Sequence, residues 1–294
     1  VLEKGPSPTI TEKFCRSMRE TSAIRWIPNI FLSQEEVDAF KSESTENDET
    51  ETVNTSLIRI APAAESGTET ADDGVELIAI THGTAKGKLL IVRDPSRVIL
   101  GVSSEEFNAK TPGLQLTELV AKYGGVAGTN AGGFNDENGR GNGGVPQGLV
   151  ISGGALLHTA REDERYNVVG FDADQILHVG TMTADEALAQ GLTDAVSFRT
   201  HDGLASSLII NGEVQSKNLG GGVNPRTAIG QCADGSVLLL VLDGRSINTL
   251  GATMQDVADI MLEYGAVNAG NLDGGSSSVM VYDGEIINNC SSVT

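Results

Sequence analysis

Residues 251–282 read GATMQDVADIMLEYGAVNAGNLDGGSSSVMVY, and this stretch predicts a helix, a strand and a polar turn in succession. Thr253 and Asp256 form a helix-capping pattern, and the apolar residues that follow recur at helical spacing until the next glycine. A short extended run then leads into Asp273, which stands at a strand end beside two glycines and three serines. Such a turn groups an acceptor, backbone donors and hydroxyls around one point, although an ordinary Asp-Gly turn has the same sequence.

The composition of the whole chain favours a turn-rich β protein. Its 294 residues include 36 glycines and only 4% aromatic residues, and this length suffices for one large domain with an appendage. The formal net charge of −20 argues against nucleic acid or anionic lipid as a general partner. No apolar run approaches the length of a membrane span. Three cysteines, Cys15, Cys232 and Cys290, are compatible with three thiols or with one disulfide and one thiol.

The sequence divides into three parts. Residues 1–40 are predicted to be helical, with a capping box at Ser33 and Glu36. Residues 41–71 are acidic and rich in hydroxyl side chains, which predicts a flexible linker. Residues 72–294 contain β-rich runs, among them VELIAITHG, KGKLLIVRDP and SRVILGVS, and form the predicted main domain.

Two-residue turns in the main domain predict hairpins. The four turns are Gly153-Gly154, Asn211-Gly212, Asp234-Gly235 and Asp283-Gly284. Short helices are predicted near residues 113–123 and 183–191. The fold class is therefore α+β: a large, mostly antiparallel or mixed β-sheet core with a few packed helices, plus the short helical N-terminal segment.

Polar groups follow several predicted strands. In residues 129–135, paired glycines allow backbone amides to approach a ligand and Asn130 suits a sugar hydroxyl, but the same glycines suit a β-bulge. The segment 136–144 resembles part of a calcium loop without its full spacing or closing glutamate, so a mobile loop near the site is favoured. His82 and His158 are acid–base candidates without an evident partner.

Two further strand ends carry charged groups. Arg226 follows Pro225 at the start of a strand, and its guanidinium suits a phosphate or carboxylate, although a surface salt bridge is the common role. Asp243 ends a run of apolar residues, and with Asp273 it could form the carboxyl pair of glycosidic chemistry. The three serines after Gly275 lack the spacing of a serine-hydrolase nucleophile elbow.

Five motifs in this order resemble the phosphodiester glycosidase family: NAGGF, PRTAIG, VLDGR, GAT before a helix, and NLDGGSSS. The resemblance covers about residues 75–290, although many relatives have a second phenylalanine where this chain has Asn135. The animal member of this family is a lysosomal enzyme that removes N-acetylglucosamine from mannose 6-phosphate tags, and bacterial members are often labelled exopolysaccharide-biosynthesis proteins. GPSPT before helices and an acidic linker looks like bacterial members with an upstream membrane anchor. The resemblance thus implies an extracellular or cell-surface chain that meets the membrane only through an anchor outside this sequence.

The resemblance implies hydrolysis of a sugar-1-phosphodiester at the C1–O bond, with a sugar-phosphate or polysaccharide substrate and neither cofactor nor metal. Asp273 is the expected nucleophile or base, Asp243 the second carboxylate or water-orienting group, and Arg226 the phosphate-binding group. The remaining predicted substrate contacts are Asn130, Gly132, Gly133, Phe134, Thr227, Arg245, Asn271, Gly274, Gly275, Ser276, Ser277 and His82.

Two other hypotheses stay open at this level. One is a non-catalytic polysaccharide-binding module that uses the same cleft. The other is a metal-dependent phosphodiesterase that cuts the O–P bond. The sequence favours C–O cleavage because it has no histidine-rich metal cluster.

Overall fold

The computed structural model describes residues 8–19, 26–40, 52–60, 74–135, 141–198, 207–215, 219, 221–246 and 249–290. The helices are α1 (Pro8–Arg19), α2 (Pro28–Phe31), α3 (Gln34–Asp38), α4 (Leu116–Lys122), α5 (Ala184–Ala189) and α6 (Met254–Glu263). Within the described ranges, no helix has the length and apolar character needed to cross a membrane.

β-Strands are the main regular structure of the described residues. The strands are β1 (Val75–His82), β2 (Ala85–Val92), β3 (Ala127–Thr129), β4 (Leu149–Ser152), β5 (Ala155–Thr159), β6 (Tyr166–Asp172), β7 (Leu177–Met182), β8 (Leu192–Phe198), β9 (Ser207–Ile210), β10 (Glu213–Val214), β11 (Arg226–Cys232), β12 (Val237–Leu242), β13 (Ala266–Asn271), β14 (Met280–Tyr282) and β15 (Glu285–Ile286). They form a seven-stranded sheet in the order β1-β2-β12-β11-β13-β9-β10, a five-stranded sheet in the order β5-β4-β8-β6-β7, and a three-stranded sheet in the order β15-β14-β3. Neighbouring strands run antiparallel, which confirms the α+β class.

Local sequence signals account for many element boundaries. Capping boxes begin α3 at Ser33, α5 at Thr183 and α6 at Thr253. Asn211 and Asp283 adopt positive φ values of 55° and 50° in the turns that follow β9 and β14. These are backbone conformations that Asn and Asp tolerate better than most residues, so the predicted hairpins form where the sequence places them.

The core has two layers on opposite faces of the seven-stranded sheet. On one face, α6 packs its apolar side, which includes Met254, Val257 and Met261, against Leu89 and Leu240. The other face packs against the five-stranded sheet, through buried side chains that include Leu90, Ile229, Val241, Val169, Leu177 and Val179. Full burial of each such side chain contributes about 2 kcal/mol of hydrophobic free energy. This packing fixes the position of the sheet end that carries the site.

Two features differ from the sequence prediction. Residues 52–60 fall within the predicted flexible linker, yet Val53 and Ile58 are buried in the core between the sheets, and the Arg59 amide donates to the Ala233 carbonyl at 2.8 Å. Isolated apolar residues in a polar segment are enough to attach it to the core. The predicted strand in SRVILGVS, residues 96–103, is wrong. Pro95–Arg97 forms a 3₁₀ turn, and the rest of this run is not a strand.

The N-terminal helices form a small cluster that contacts the main domain. Cys15, Leu32 and Val37 are buried together, with Phe40 packed against them. Ser17 of α1 lies with its Oγ 2.6 Å from the Val223 carbonyl oxygen and 2.9 Å from Asn224 Oδ1. The segment 222–224, which precedes β11 in the chain, therefore packs against α1.

Gly87 permits the close approach of β2 and β12. A Cβ atom at this position would lie 2.1 Å from the Val241 carbonyl oxygen and 2.8 Å from the Leu242 Cα. We expect Gly87→Ala to lower the free energy of unfolding by about 2 kcal/mol, because backbone atoms cannot move aside without separating the strands. Denaturant unfolding measures the change. Gly125→Ala is the matched control, since its Cβ would meet no atom closer than 3.5 Å, and an equal loss in both variants would contradict the argument.

Candidate active site

The predicted site residues meet at one end of the seven-stranded sheet. Antiparallel neighbours place the starts of β2 and β11 at the same end as the finishes of β1, β12 and β13. In the observed register, Arg226 lies opposite Leu242, Leu242 opposite Gly87, and Ala228 opposite Asn271. Asp243 immediately follows β12, and Asp273 follows β13 after one intervening residue, Leu272. Carboxylates that are thirty residues apart in sequence therefore flank the same strand, β11.

The Asp273 turn is pressed against the start of β11. The Gly275 amide donates to the Pro225 carbonyl at 3.0 Å. A Cβ atom on Gly274 would lie 3.0 Å from the same carbonyl oxygen and 3.8 Å from the Arg226 Cα, so only glycine allows this approach without displacement. Asp273 is partly exposed, and its amide donates to the Ala131 carbonyl at 2.9 Å. These contacts hold Asp273 beside the strand that carries Arg226.

Asn130 links three segments of the site. Its Nδ2 donates to the Asp273 carbonyl at 2.6 Å, and its Oδ1 accepts from Thr227 Oγ1 at 2.9 Å and from the Val279 amide at 3.1 Å. These bonds occupy the side-chain oxygen and one of the two Nδ2 hydrogens. Asn130 and Thr227 therefore stabilise the shape of the site, and their predicted contact with a sugar stays a prediction.

The two glycines before Phe134 allow their segment to pack closely against β8. A Cβ on Gly132 would lie 3.1 Å from Val196 Cβ, and one on Gly133 would lie 3.1 Å from Phe198 Cβ. The Gly133 amide donates to the Ser197 carbonyl at 3.1 Å, so this amide does not point at a ligand. Phe134 is partly exposed and pairs with Pro146 through an isolated bridge. This segment connects the two large sheets next to the Asp273 turn.

Arg226 is 4% exposed and joins three segments through its guanidinium. Nε donates to the Ala252 carbonyl at 3.2 Å, and Nη2 donates to the Gly222 carbonyl at 2.6 Å. The chain at Ala252 precedes α6 and pairs with Asn224 in an isolated bridge. Arg226 thus stabilises the segment that contacts α1, and its predicted contact with a phosphate stays a prediction.

Asp243 is 7% exposed, and both of its carboxylate oxygens are hydrogen-bonded by one residue. Oδ1 accepts from the Asn289 amide at 2.9 Å, and Oδ2 accepts from Asn289 Nδ2 at 3.1 Å. The Asp243 amide donates to the Lys86 carbonyl at 2.7 Å, which ties it to the β1–β2 hairpin. Sequence reasoning missed Asn289, since an asparagine after a short hairpin carries no motif that would identify it.

The remaining predicted contacts surround this end of the sheet. Arg245 is exposed and donates to the Val223 carbonyl at 3.0 Å, and His82 ends β1. Ser276 and Ser277 lie in the 3₁₀ turn that follows Gly274. Asn271 is 3% exposed, and its Oδ1 is buried with no hydrogen-bond partner among the described residues. Because buried polar atoms are rarely left unpaired, this oxygen is a candidate for ligand binding.

Two other reactive side chains lie outside this arrangement. Burial, together with the nearby Asp234, raises the pKa of the Cys232 thiol to about 11, so it is protonated at neutral pH and is a poor nucleophile. Burial lowers the pKa of His158, while a hydrogen bond with the Pro146 backbone acts in the opposite direction. His158 packs edge-on against Phe107, with ring centroids 5.8 Å apart. The histidine is thus a packed residue of the β4–β5 hairpin.

The acidic loop at 136–144 resembles part of a calcium loop in sequence. Residues 136–140 lie outside the described part of the chain, so the structure does not test this loop. In the ranges that are described, no three or more His, Cys, Asp and Glu side chains are grouped to hold a metal ion.

Asp243, Asp273 and Arg226 therefore lie on neighbouring strand ends of one antiparallel sheet, and paired carboxyl groups are the residue type that cleaves glycosidic bonds. A sequence profile of the phosphodiester glycosidase family matches residues 123–294. The match covers more than half of the chain, and the protein belongs to this family. Strands β1 and β2 precede the matched range, although they are part of the central sheet.

The chain is similar to several known proteins, in fold or in sequence. The catalytic domain of zebrafish N-acetylglucosamine-1-phosphodiester alpha-N-acetylglucosaminidase, described as auto-inhibited by its pro-peptide, is 21% identical, with a TM-score of 0.58 over 83% of this chain and 80% of that one. A hypothetical protein from Synechocystis is 15% identical, with a TM-score of 0.48 over 74% of this chain and 59% of that one. In Bacillus subtilis (strain 168), the SPbeta prophage-derived uncharacterized protein YomE is 44% identical over 68 residues, which are 23% of this chain and 11% of that protein. The matched segment is thus a small part of YomE.

Proposed function

We propose that the protein is a glycoside hydrolase that cleaves the C1–O bond of a sugar-1-phosphodiester, such as an N-acetylglucosamine-1-phosphodiester, in a cell-surface glycan or polymer. The observation that supports this proposal is the contact between the Asp273 turn and the start of β11, where the Gly275 amide binds the Pro225 carbonyl and Gly274 lies next to the Arg226 backbone. Family membership supports glycosidase chemistry in general. The sugar and its location outside the cell rest on resemblance to relatives.

The leaving group determines what the protein has to supply. When the C1–O bond breaks, its electron pair stays with the phosphate oxygen, and the product is a phosphomonoester whose second pKa is about 6. Such a group departs near neutral pH with little help from a general acid. The protein then has to stabilise positive charge at C1, bind the departing phosphate and direct water to C1.

The residues divide between these tasks by position. Asp273 is partly exposed at the sheet end and suits the role of nucleophile or base at C1. Arg226 supplies the positive charge for the phosphate. The Gly275 amide is already bonded to the Pro225 carbonyl. The Gly274 amide and the serine hydroxyls of the turn are proposed as further donors to the phosphate. Asp243, held by Asn289, is the second carboxylate and suits the orientation of water.

Hydrolysis of a uridine diphosphate sugar in oxygen-18 water tests this function. We expect the label to enter the released sugar and the nucleotide product to remain unlabelled, with the same rate in the presence of a chelator. Label in the phosphate, or loss of activity with the chelator, would support a metal-dependent phosphodiesterase instead. Sugar binding without release across a panel of sugar-1-phosphodiesters would identify a polysaccharide-binding module.

A further inference from the structure

The residue that orients Asp243 comes from the C-terminal end of the described chain. Asn289 uses two different donors, its own backbone amide and its side-chain Nδ2, on the two oxygens of the same carboxylate. Two bonds of defined direction fix both the plane and the rotation of the carboxylate. A carboxylate can accept about four hydrogen bonds, so two acceptor directions of Asp243 remain for a substrate or a water molecule.

The segment that carries Asn289 is itself firmly attached. The Ile287 amide donates to the Met280 carbonyl at 3.0 Å. The adjacent Asn288 accepts from the Met280 amide at 2.8 Å through Oδ1 and donates to the Ser278 carbonyl at 3.1 Å through Nδ2. Asn289 therefore follows a segment that is hydrogen-bonded to Ser278 and to Met280 at the start of β14, the strand that comes after the Asp273 turn. Residues 288 and 289 therefore bind both the backbone that follows the Asp273 turn and the carboxylate of Asp243.

We propose that Asn289 is a positioning residue, which holds the Asp243 carboxylate in the orientation that the reaction requires. The inference rests on the proposed function, because it assigns Asp243 a part in that reaction. Asn288 provides the contrast: it makes two hydrogen bonds of similar length in the same segment, but only to backbone atoms. A purely structural role for the segment predicts similar behaviour of the two asparagines, whereas a positioning role separates them.

Three variants test the proposal: Asn289→Ala, Asn289→Asp and Asn288→Ala. We expect Asn289→Ala to lower kcat about ten- to a hundredfold with a change in KM of less than about threefold, because the carboxylate loses one of its two fixed bonds. Asn289→Asp places a second carboxylate against Asp243, and a close pair of this kind retains a shared proton. That proton restores a hydrogen bond to Asp243, so the activity of this variant relative to wild type should rise as the pH falls.

Asn288→Ala should lower the melting temperature and leave the shape of the pH–rate profile unchanged. If the Asn289 variants have the wild-type pH profile and kcat, or if all three variants lose activity only in proportion to stability, the positioning role is overturned. If the wild type is active and the variants give these results, the proposed function is unaffected. A folded wild type that is inactive on every sugar-1-phosphodiester overturns the proposed function, and the positioning role with it.

Discussion

Asp273→Asn should reduce turnover of a sugar-1-phosphodiester by about a thousandfold or more and leave the fold intact. Asparagine has almost the same shape as aspartate but cannot serve as a nucleophile or base at C1. The contacts that place the turn are made by backbone atoms: the residue 273 amide binds Ala131, its carbonyl binds Asn130, and the Gly275 amide binds Pro225. Initial rates together with circular-dichroism melting measure both parts of the prediction.

Asp283→Asn is the matched control for this substitution. Asp283 is exposed in the Asp-Gly turn between β14 and β15, and its φ of 50° is one that asparagine also tolerates. The change removes the same charge from a nearby hairpin, outside the carboxylate pair, and should leave turnover unchanged. If Asp273→Asn keeps wild-type turnover, or if both variants lose activity equally, the assignment of Asp273 is wrong.

Arg226→Lys should reduce turnover about a hundredfold and lower the free energy of unfolding by about 2 kcal/mol. Lysine keeps the positive charge, but its single ammonium group cannot reproduce the forked geometry that reaches the Gly222 and Ala252 carbonyls. Lysine can keep at most one of these two bonds, so the side-chain link between the Gly222 and Ala252 carbonyls is lost, although the Ala252 carbonyl keeps its bond from the Asn224 amide. Denaturant unfolding and steady-state kinetics measure the two effects separately.

Arg93→Lys serves as the control for the arginine substitution. Arg93 follows the far end of β2, away from the site, and its exposed side chain pairs with Glu76 at 3.2 Å. The loss of such a surface pair changes stability by less than about 0.5 kcal/mol and should not alter turnover. If Arg226→Lys were as stable as wild type and lost only activity, the structural part of the Arg226 role would be refuted.

The sequence predicts those parts of the fold that depend on interactions between residues close together in the chain. The capping box at Thr253 and the Asn211 and Asp283 turns act within a few residues, and each has a recognisable pattern. The sequence also indicates that Asp243 and Asp273 end strands, because Asp243 follows a run of apolar residues and Asp273 follows a short extended run. The sequence suggests that the two aspartates could form a carboxyl pair, and the sheet register shows that they follow the two strands that neighbour β11.

Other parts of the site depend on contacts between distant residues. Asn289 lies 46 residues from Asp243, and Asn130 lies 143 residues from Asp273, so neither pairing has a local pattern. The glycines before Phe134 are compatible with a ligand or with close packing, and only the position of β8 shows the packing. In the same way, the burial of Val53 and Ile58 depends on a surface that the folded sheets create.

The position of β2 between β1 and β12 has a practical consequence for protein production. A fragment cut at the limits of the family match, 123–294, would lack both β1 and β2. The apolar strand β12 would then expose unpaired backbone N–H and C=O groups along one side, which is a template for aggregation. Such a fragment would also lose the Lys86 carbonyl that binds the Asp243 amide. A well-behaved recombinant domain should therefore begin before residue 52, so that Val53, Ile58 and both missing strands are retained.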